Sequence, residues 1–292
     1  MIQVSCLPAV LVAGSAAESA ATPDRPLLQL VVLVAAIAFL GVPHGALDIV
    51  YASRQFRLNR LVSWGLFLLG YLAVAALVLL AWWAAPGLTL AGFLLLSAFH
   101  FAGDLDSGAG WLLRSGHGLA LISMPALGHG EVLTSLFAAL VPSGSAELLV
   151  SALAVIAPAV GALLAAGFAD LWRRSRSSSD LRRLAMTGLE VLVSTALVLL
   201  VDPLLAFTLY FCGLHSARHV ARTRRLFSLT PSRLLLVALP PTVGSLLAAA
   251  AAFALLGSPT ADIGLLRVTF VGLAALTVPH MLLVEPQLRP RT

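Results

Sequence analysis

The chain has 292 residues, of which 60% are hydrophobic and only 11% charged, and its mean hydropathy is +0.98. A soluble domain carries about a quarter charged residues, so the composition excludes a soluble enzyme and places the chain in lipid. The net charge is +5 and all 18 basic residues are arginine; the excess sits in short loops between apolar runs, which fits the positive-inside rule and anionic lipid and speaks against a nucleic-acid partner.

Residues 1–26 are mildly apolar but lack the basic start of a signal peptide, and read as a weakly structured N-terminal tail. From residue 27 to the end the chain reads as a single membrane-embedded catalytic domain. A spanning helix needs roughly 20 apolar residues. Runs of that order cover 27–47, 61–84, 88–103, 111–127, 146–168, 184–201, 203–221, 234–256 and 264–284, and 131–141 is a shorter piece that reads as a half-helix. Turn residues fall between them at Ala85-Pro86-Gly87, Pro142-Ser143-Gly144, Asp202-Pro203 and Gly257-Ser258-Pro259. The fold class expected is therefore all-α, a polytopic transmembrane helical bundle of eight or nine spans. With nine crossings, the arginines after the first run (Arg54, Arg57, Arg60), those around Arg173–Arg183, those from Arg222 to Arg233, and the terminal Arg289 and Arg291 all fall on one side, which would be the cytoplasm. The location expected is the cell membrane, multi-pass.

Ionisable groups inside spans are rare and are functional by default. In this topology five histidines, His44, His100, His215, His219 and His280, fall at similar depth in the cytoplasmic half. His117 lies early in its span and His129 on the far side; both read as structural or loop residues. Three local patterns place polar groups at i and i+4: His44 with Asp48, His100 with Asp104, and His215 with His219. On one helix such pairs share a face. His-x3-His is a chelating spacing, while His-x3-Asp supplies either a second ligand or a carboxylate that orients an imidazole. Glu190, inside a span, and Arg218 are candidates to support the same site. A single buried histidine is more often a hydrogen-bonded packing residue than a ligand. Five at one depth, two of them at chelating spacing, reverse that balance. Imidazole ligation suits Zn, Cu, Fe or Ni, and a lipid-embedded site suggests a lipophilic substrate. Phe99, Phe101, Phe207, Tyr210 and Phe211 flank the histidines, either as packing or as the wall of an apolar tunnel. His280 is either a ligand or a residue of the substrate pocket.

Pro43-His44-Gly45-Ala46-Leu47-Asp48, His100-Phe101 with Asp104, Tyr210-Phe211-Cys212 ahead of His215-Ser216-Ala217-Arg218-His219, and Pro279-His280 together resemble the Brp/Blh family of bacterial β-carotene 15,15′-dioxygenases, in order and spacing, across roughly residues 27–285. The resemblance implies a multi-pass membrane oxidoreductase using non-haem Fe(2+) and O2. It implies cleavage of the central 15,15′ double bond of β-carotene to two all-trans-retinal, with a rhodopsin as recipient of the product. It also implies His44, His100, His215 and His219 as catalytic metal ligands, with Asp48, Asp104, Glu190, Arg218, His280, Phe101 and Tyr210 in support or in the substrate pocket. A centre of two histidines and one aspartate is the competing ligand model. A membrane transporter with a histidine relay is the alternative of a different class. A relay would stagger its histidines through the membrane, and here they share a depth. The His-x2-His-His boxes of di-iron desaturases and the HExxH and GxSxG motifs of membrane proteases are absent from the sequence.

Overall fold

Once a long apolar run leaves water its backbone N–H and C=O groups must be satisfied internally, and the helix does this locally. The computed structural model describes residues 26–288, and among these there is helix and no strand. The tail expected over residues 1–26 lies, apart from Pro26, outside the described residues, as do Arg289 and Arg291.

Among the described residues six helices are long and apolar enough to cross a membrane, Leu30–Gln55, Leu61–Ala84, Ser143–Arg174, Ser178–Leu200, Pro231–Leu256 and Ala261–Glu285, and a bent pair raises the number to seven. The chain is a multi-pass helical membrane protein. The difference from the eight or nine spans expected has a local cause in each case. The run at 88–103 forms a helix, Pro86–Ala102, of only 17 residues. The runs 111–127 and 131–141 form a pair bent by 106° at His129, a broken span or a re-entrant loop. The run 203–221 is divided into Pro203–Thr208, a π-helical stretch Leu209–Ser216 and Ala217–Leu226. The first span is interrupted as well. It runs as α1 (Pro26–Ala36), a π turn (Ile37–Gly41), α2 (Val42–Gly45) and, after a turn at Ala46 and Leu47, α3 (Asp48–Gln55).

The described chain forms two compact units, one of Leu90–His215 and the other of Leu27–Thr89 with the residues from Ser216 onward. In the first unit, α6 (Trp111–Ser123) packs along α9 (Ser143–Arg174), and both also meet α10 (Ser178–Leu200). Small residues let these backbones approach, as they do between membrane helices generally. A Cβ at Gly167 would stand 2.6 Å from Leu113 Cα, and one at Gly116 3.0 Å from Leu164 Cδ2. In the second unit, α4 (Leu61–Ala84) packs along α14 (Ala261–Leu288), which also meets α13 (Pro231–Leu256) and α3. Fully buried Tyr51 is the keystone there: its ring lies edge-on to Phe227 at 4.9 Å and its hydroxyl meets Thr223 Oγ1 at 2.9 Å. Leu283 and Val284 of α14 close the same cluster. The outward faces are aliphatic and aromatic; Leu61 is 91% and Trp83 85% exposed, as a lipid-facing surface requires.

The α6–α9 seam is testable. Gly167→Ala drives a methyl into the Leu113 backbone and is expected to destabilise the protein by about 1–3 kcal/mol. Gly92→Ala, where a Cβ meets nothing within 4 Å, should leave it unchanged. Thermal unfolding of both variants in detergent, followed by circular dichroism, reads the contrast.

Candidate functional site

All five of the histidines expected at the site are buried, and so are Asp48, Asp104 and Glu190. A carboxylate out of water is costly unless it collects donors, and each aspartate does so within its own unit.

In the first unit Asp104 stands just past the end of Pro86–Ala102, in a turn. It therefore does not continue the helical face of His100 and reaches another histidine. His215 Nδ1 lies 2.9 Å from Asp104 Oδ2 and 3.1 Å from Oδ1. Tyr210 donates its hydroxyl hydrogen to Oδ2 at 2.8 Å, and His117 Nε2 lies 3.2 Å from the Tyr210 oxygen. Since that oxygen has spent its hydrogen on Asp104, His117 Nε2 is the donor to it. The chain of groups runs His117, Tyr210, Asp104, His215. The π geometry makes it possible. Residues five apart stand about 140° apart on an α-helix, whereas i→i+5 bonding turns them to one side; Tyr210 and His215 are five apart and both reach Asp104. The rings of His100 and His215 are 4.7 Å apart, centre to centre. Phe101 sits edge-on to His215 at 5.1 Å, and Phe211 stacks on it at 5.7 Å.

The second unit holds the same pattern. Asp48 opens a new helix after the turn at Ala46 and Leu47, so it too leaves the face of its i−4 histidine. Its Oδ1 lies 2.6 Å from His280 Nδ1 and its Oδ2 accepts the Tyr71 hydroxyl at 2.9 Å. His44 turns its Nδ1 back to the carbonyl of Gly41, at the end of the π turn, with Ser216 Oγ 3.1 Å away. The rings of His44, His219 and His280 form a triangle with sides of 5.5, 5.2 and 5.2 Å, and Tyr51 lies against His219 at 5.8 Å.

In both His-x3-Asp pairs seen in the sequence the carboxylate thus serves a histidine distant in sequence, Asp104 for His215 and Asp48 for His280. Glu190 is buried on the inner face of Ser178–Leu200, and Arg218 is half-buried in the first turn of Ala217–Leu226. His117, read as structural, is fully enclosed and supports Tyr210. Tyr71 was not singled out: a lone tyrosine in a lipid-rich run carries no spacing signal.

Among the described residues, no group of three or more His, Cys, Asp or Glu side chains has its donors set to hold a metal ion. The donor chemistry fits an imidazole-bound metal all the same. The Gly41 carbonyl and the two carboxylates accept only, so Nδ1 of His44, His215 and His280 carries the hydrogen, and the neutral imidazole then keeps its lone pair on Nε2. This is the tautomer that carboxylate-held metal ligands adopt.

These features define a polytopic helical membrane protein whose interior is organised around carboxylate-held imidazoles. Over residues 35–286 the chain matches the family model for β-carotene 15,15′-dioxygenase. It is 30% identical over 274 residues to a β-carotene 15,15′-dioxygenase from uncultured marine bacterium 66A03, covering 89% of this chain and 94% of that protein. The chain belongs to the β-carotene 15,15′-dioxygenase family. No solved structure matches it.

Tyr210→Phe removes the hydroxyl that joins His117 to Asp104. A loss of about 1–3 kcal/mol is expected, the cost of taking a hydrogen bond from buried polar groups, and thermal unfolding in detergent measures it. A midpoint equal to that of the unaltered protein would show that the network does not stabilise this unit.

Proposed function

We propose that the protein is a β-carotene 15,15′-dioxygenase of the cytoplasmic membrane, which takes β-carotene from the bilayer and cuts its central double bond to give two all-trans-retinal. The observation that carries this reading is the family match across residues 35–286, an interval that contains His44, His100, His215, His219 and His280. In the reaction the C15=C15′ bond breaks and each carbon takes one oxygen atom of O2, so the two halves leave as aldehydes and the atoms balance without a further reductant. On this reading 27–292 acts as one catalytic domain, and a rhodopsin is a suitable recipient for the product.

His44, His100, His215 and His219 would hold the metal, proposed as Fe(2+). When bound, it supplies the redox chemistry that lets O2 react with a closed-shell polyene. The rest of the work falls to the chain. Asp104 fixes the orientation and tautomer of His215. Its oxygens are engaged by His215 and Tyr210, and those of Asp48 by His280 and Tyr71, which supports an orienting role for both aspartates over a place among the ligands. The substrate offers no polar handle, so its position along the protein is set by apolar shape. Packed helices keep water from the reacting carbons and the aldehydes.

The test is expression in a bacterial strain that accumulates β-carotene, followed by chromatography of the extracted pigments with and without an iron chelator. Bleaching with appearance of retinal, lost on chelation, is the expected result. Longer apocarotenals would move the cleavage position. Unchanged β-carotene, with the protein verified in the membrane, would overturn the reading and favour a transporter. In the same strain His100→Ala and His215→Ala should each abolish retinal formation, and full activity in either would remove that residue from the ligand set.

A further inference from the structure

The second unit repeats, with different residues, the arrangement that surrounds His215 in the first. In the first unit, a histidine at the end of an apolar helix, His100, is followed four residues later by an aspartate that has left the helical face. That aspartate holds a distant histidine through Nδ1 and accepts a tyrosine hydroxyl, and the two imidazoles lie 4.7 Å apart. In the second unit His44 is followed four residues later by Asp48. Asp48 holds His280 through Nδ1 at 2.6 Å and accepts the Tyr71 hydroxyl at 2.9 Å, and His44 and His280 lie 5.2 Å apart. His280 occupies in the second unit the place that His215 occupies in the first.

We propose that His280 is a metal-ligating residue, working with His44 and His219, and that Asp48 and Tyr71 are its positioning residues. The inference rests on the reading that the protein is a metal enzyme, and it adds a ligand to the four-histidine set. Three observations within the second unit carry it. His280 is 4% exposed, too enclosed for a surface role. The Asp48 carboxylate, an acceptor, fixes the Nδ1–H tautomer and leaves the Nε2 lone pair to bind an ion. The three rings form a nearly equilateral triangle of 5.2–5.5 Å sides. Imidazoles bound to one ion at about 2.0–2.1 Å through nitrogen have ring centres roughly 5 Å apart. The ring centres therefore stand as far apart as those of imidazoles that share an ion. A purely structural histidine would need its carboxylate partner but not two further imidazoles at that spacing.

The experiment uses the purified full chain in detergent, stripped of metal and titrated with Co(2+), with the visible ligand-field absorption and the bound metal per chain read together. The expected result is that the unaltered protein binds cobalt, and that His280→Ala binds it more weakly with bands shifted in position and intensity. Asp48→Leu keeps His280 but removes its acceptor, and should weaken binding about 10–100-fold, the usual effect of losing an outer-shell partner. Tyr71→Phe should weaken binding in the same direction by less. It is the mildest of the changes and remains informative if His280→Ala fails to fold. If the unaltered protein binds no metal, the metal-enzyme reading fails and this inference with it. If the unaltered protein binds cobalt and the spectra and affinities of His280→Ala and Tyr71→Phe are unchanged, the metal reading stands and His280 is not a ligand.

Discussion

A carboxylate carried into the interior of a membrane protein has to be surrounded by donors, because neither lipid nor packed aliphatic side chains can replace its water. Asp48 and Asp104 meet that demand in the same way, with one tyrosine hydroxyl and one imidazole each. Much else is arranged around it. The tyrosines have to lie on helices that face inward, and the histidines have to arrive from distant parts of the sequence. The aspartates themselves have to leave regular helix, which they do at the turn of Ala46 and Leu47 and at the end of Pro86–Ala102. The cost of the carboxylates is repaid in orientation, since an imidazole gripped at Nδ1 is fixed in ring direction and in tautomer.

The two π-helical stretches belong to the same economy of position. Such insertions are unfavourable on their own and recur where function needs a side chain re-aimed. One ends at Gly41, whose carbonyl takes the Nδ1 hydrogen of His44. The other runs from Leu209 to Ser216 and turns Tyr210 and His215 toward a single aspartate. Pro43, which cannot donate a backbone hydrogen bond, sits two residues past the end of the first of them and helps to explain why regular α-geometry gives way there.

Much of this architecture was legible in the sequence. Hydropathy alone defines the helical membrane class, and the boundaries of Leu61–Ala84 follow directly from an uninterrupted apolar run between Arg60 and Pro86. The short helix after His129 was visible as a run too short to cross, but the 106° bend that joins it to the run before it was not. The partners of the aspartates were not legible. An α-helical period places Asp48 beneath His44 and Asp104 beneath His100, and that period holds only while the helix is unbroken. The breaks at residues 46–47 and 103–104 involve no proline, and the π stretch Leu209–Ser216 carries no compositional mark, so these phase changes are invisible to periodicity. Tyr71 was missed for a related reason. Its meaning lies in a carboxylate 23 residues away, and only packing brings the two together.

A hydrocarbon substrate sharpens the question of how a site of this kind would select one double bond out of many that are chemically alike. No hydrogen bond can mark the place, so selection has to come from where an apolar surface begins and ends relative to an imidazole. In the first unit Phe207 stacks on Phe211 with the rings 10° from parallel, and Phe211 stacks on His215 at 13°, so aromatic faces are turned to one another and to the imidazole. The ring of His215 is thus held in two ways, by Asp104 at Nδ1 and by aromatic packing against its face, and an imidazole restrained in both is a fixed point from which apolar shape can be measured.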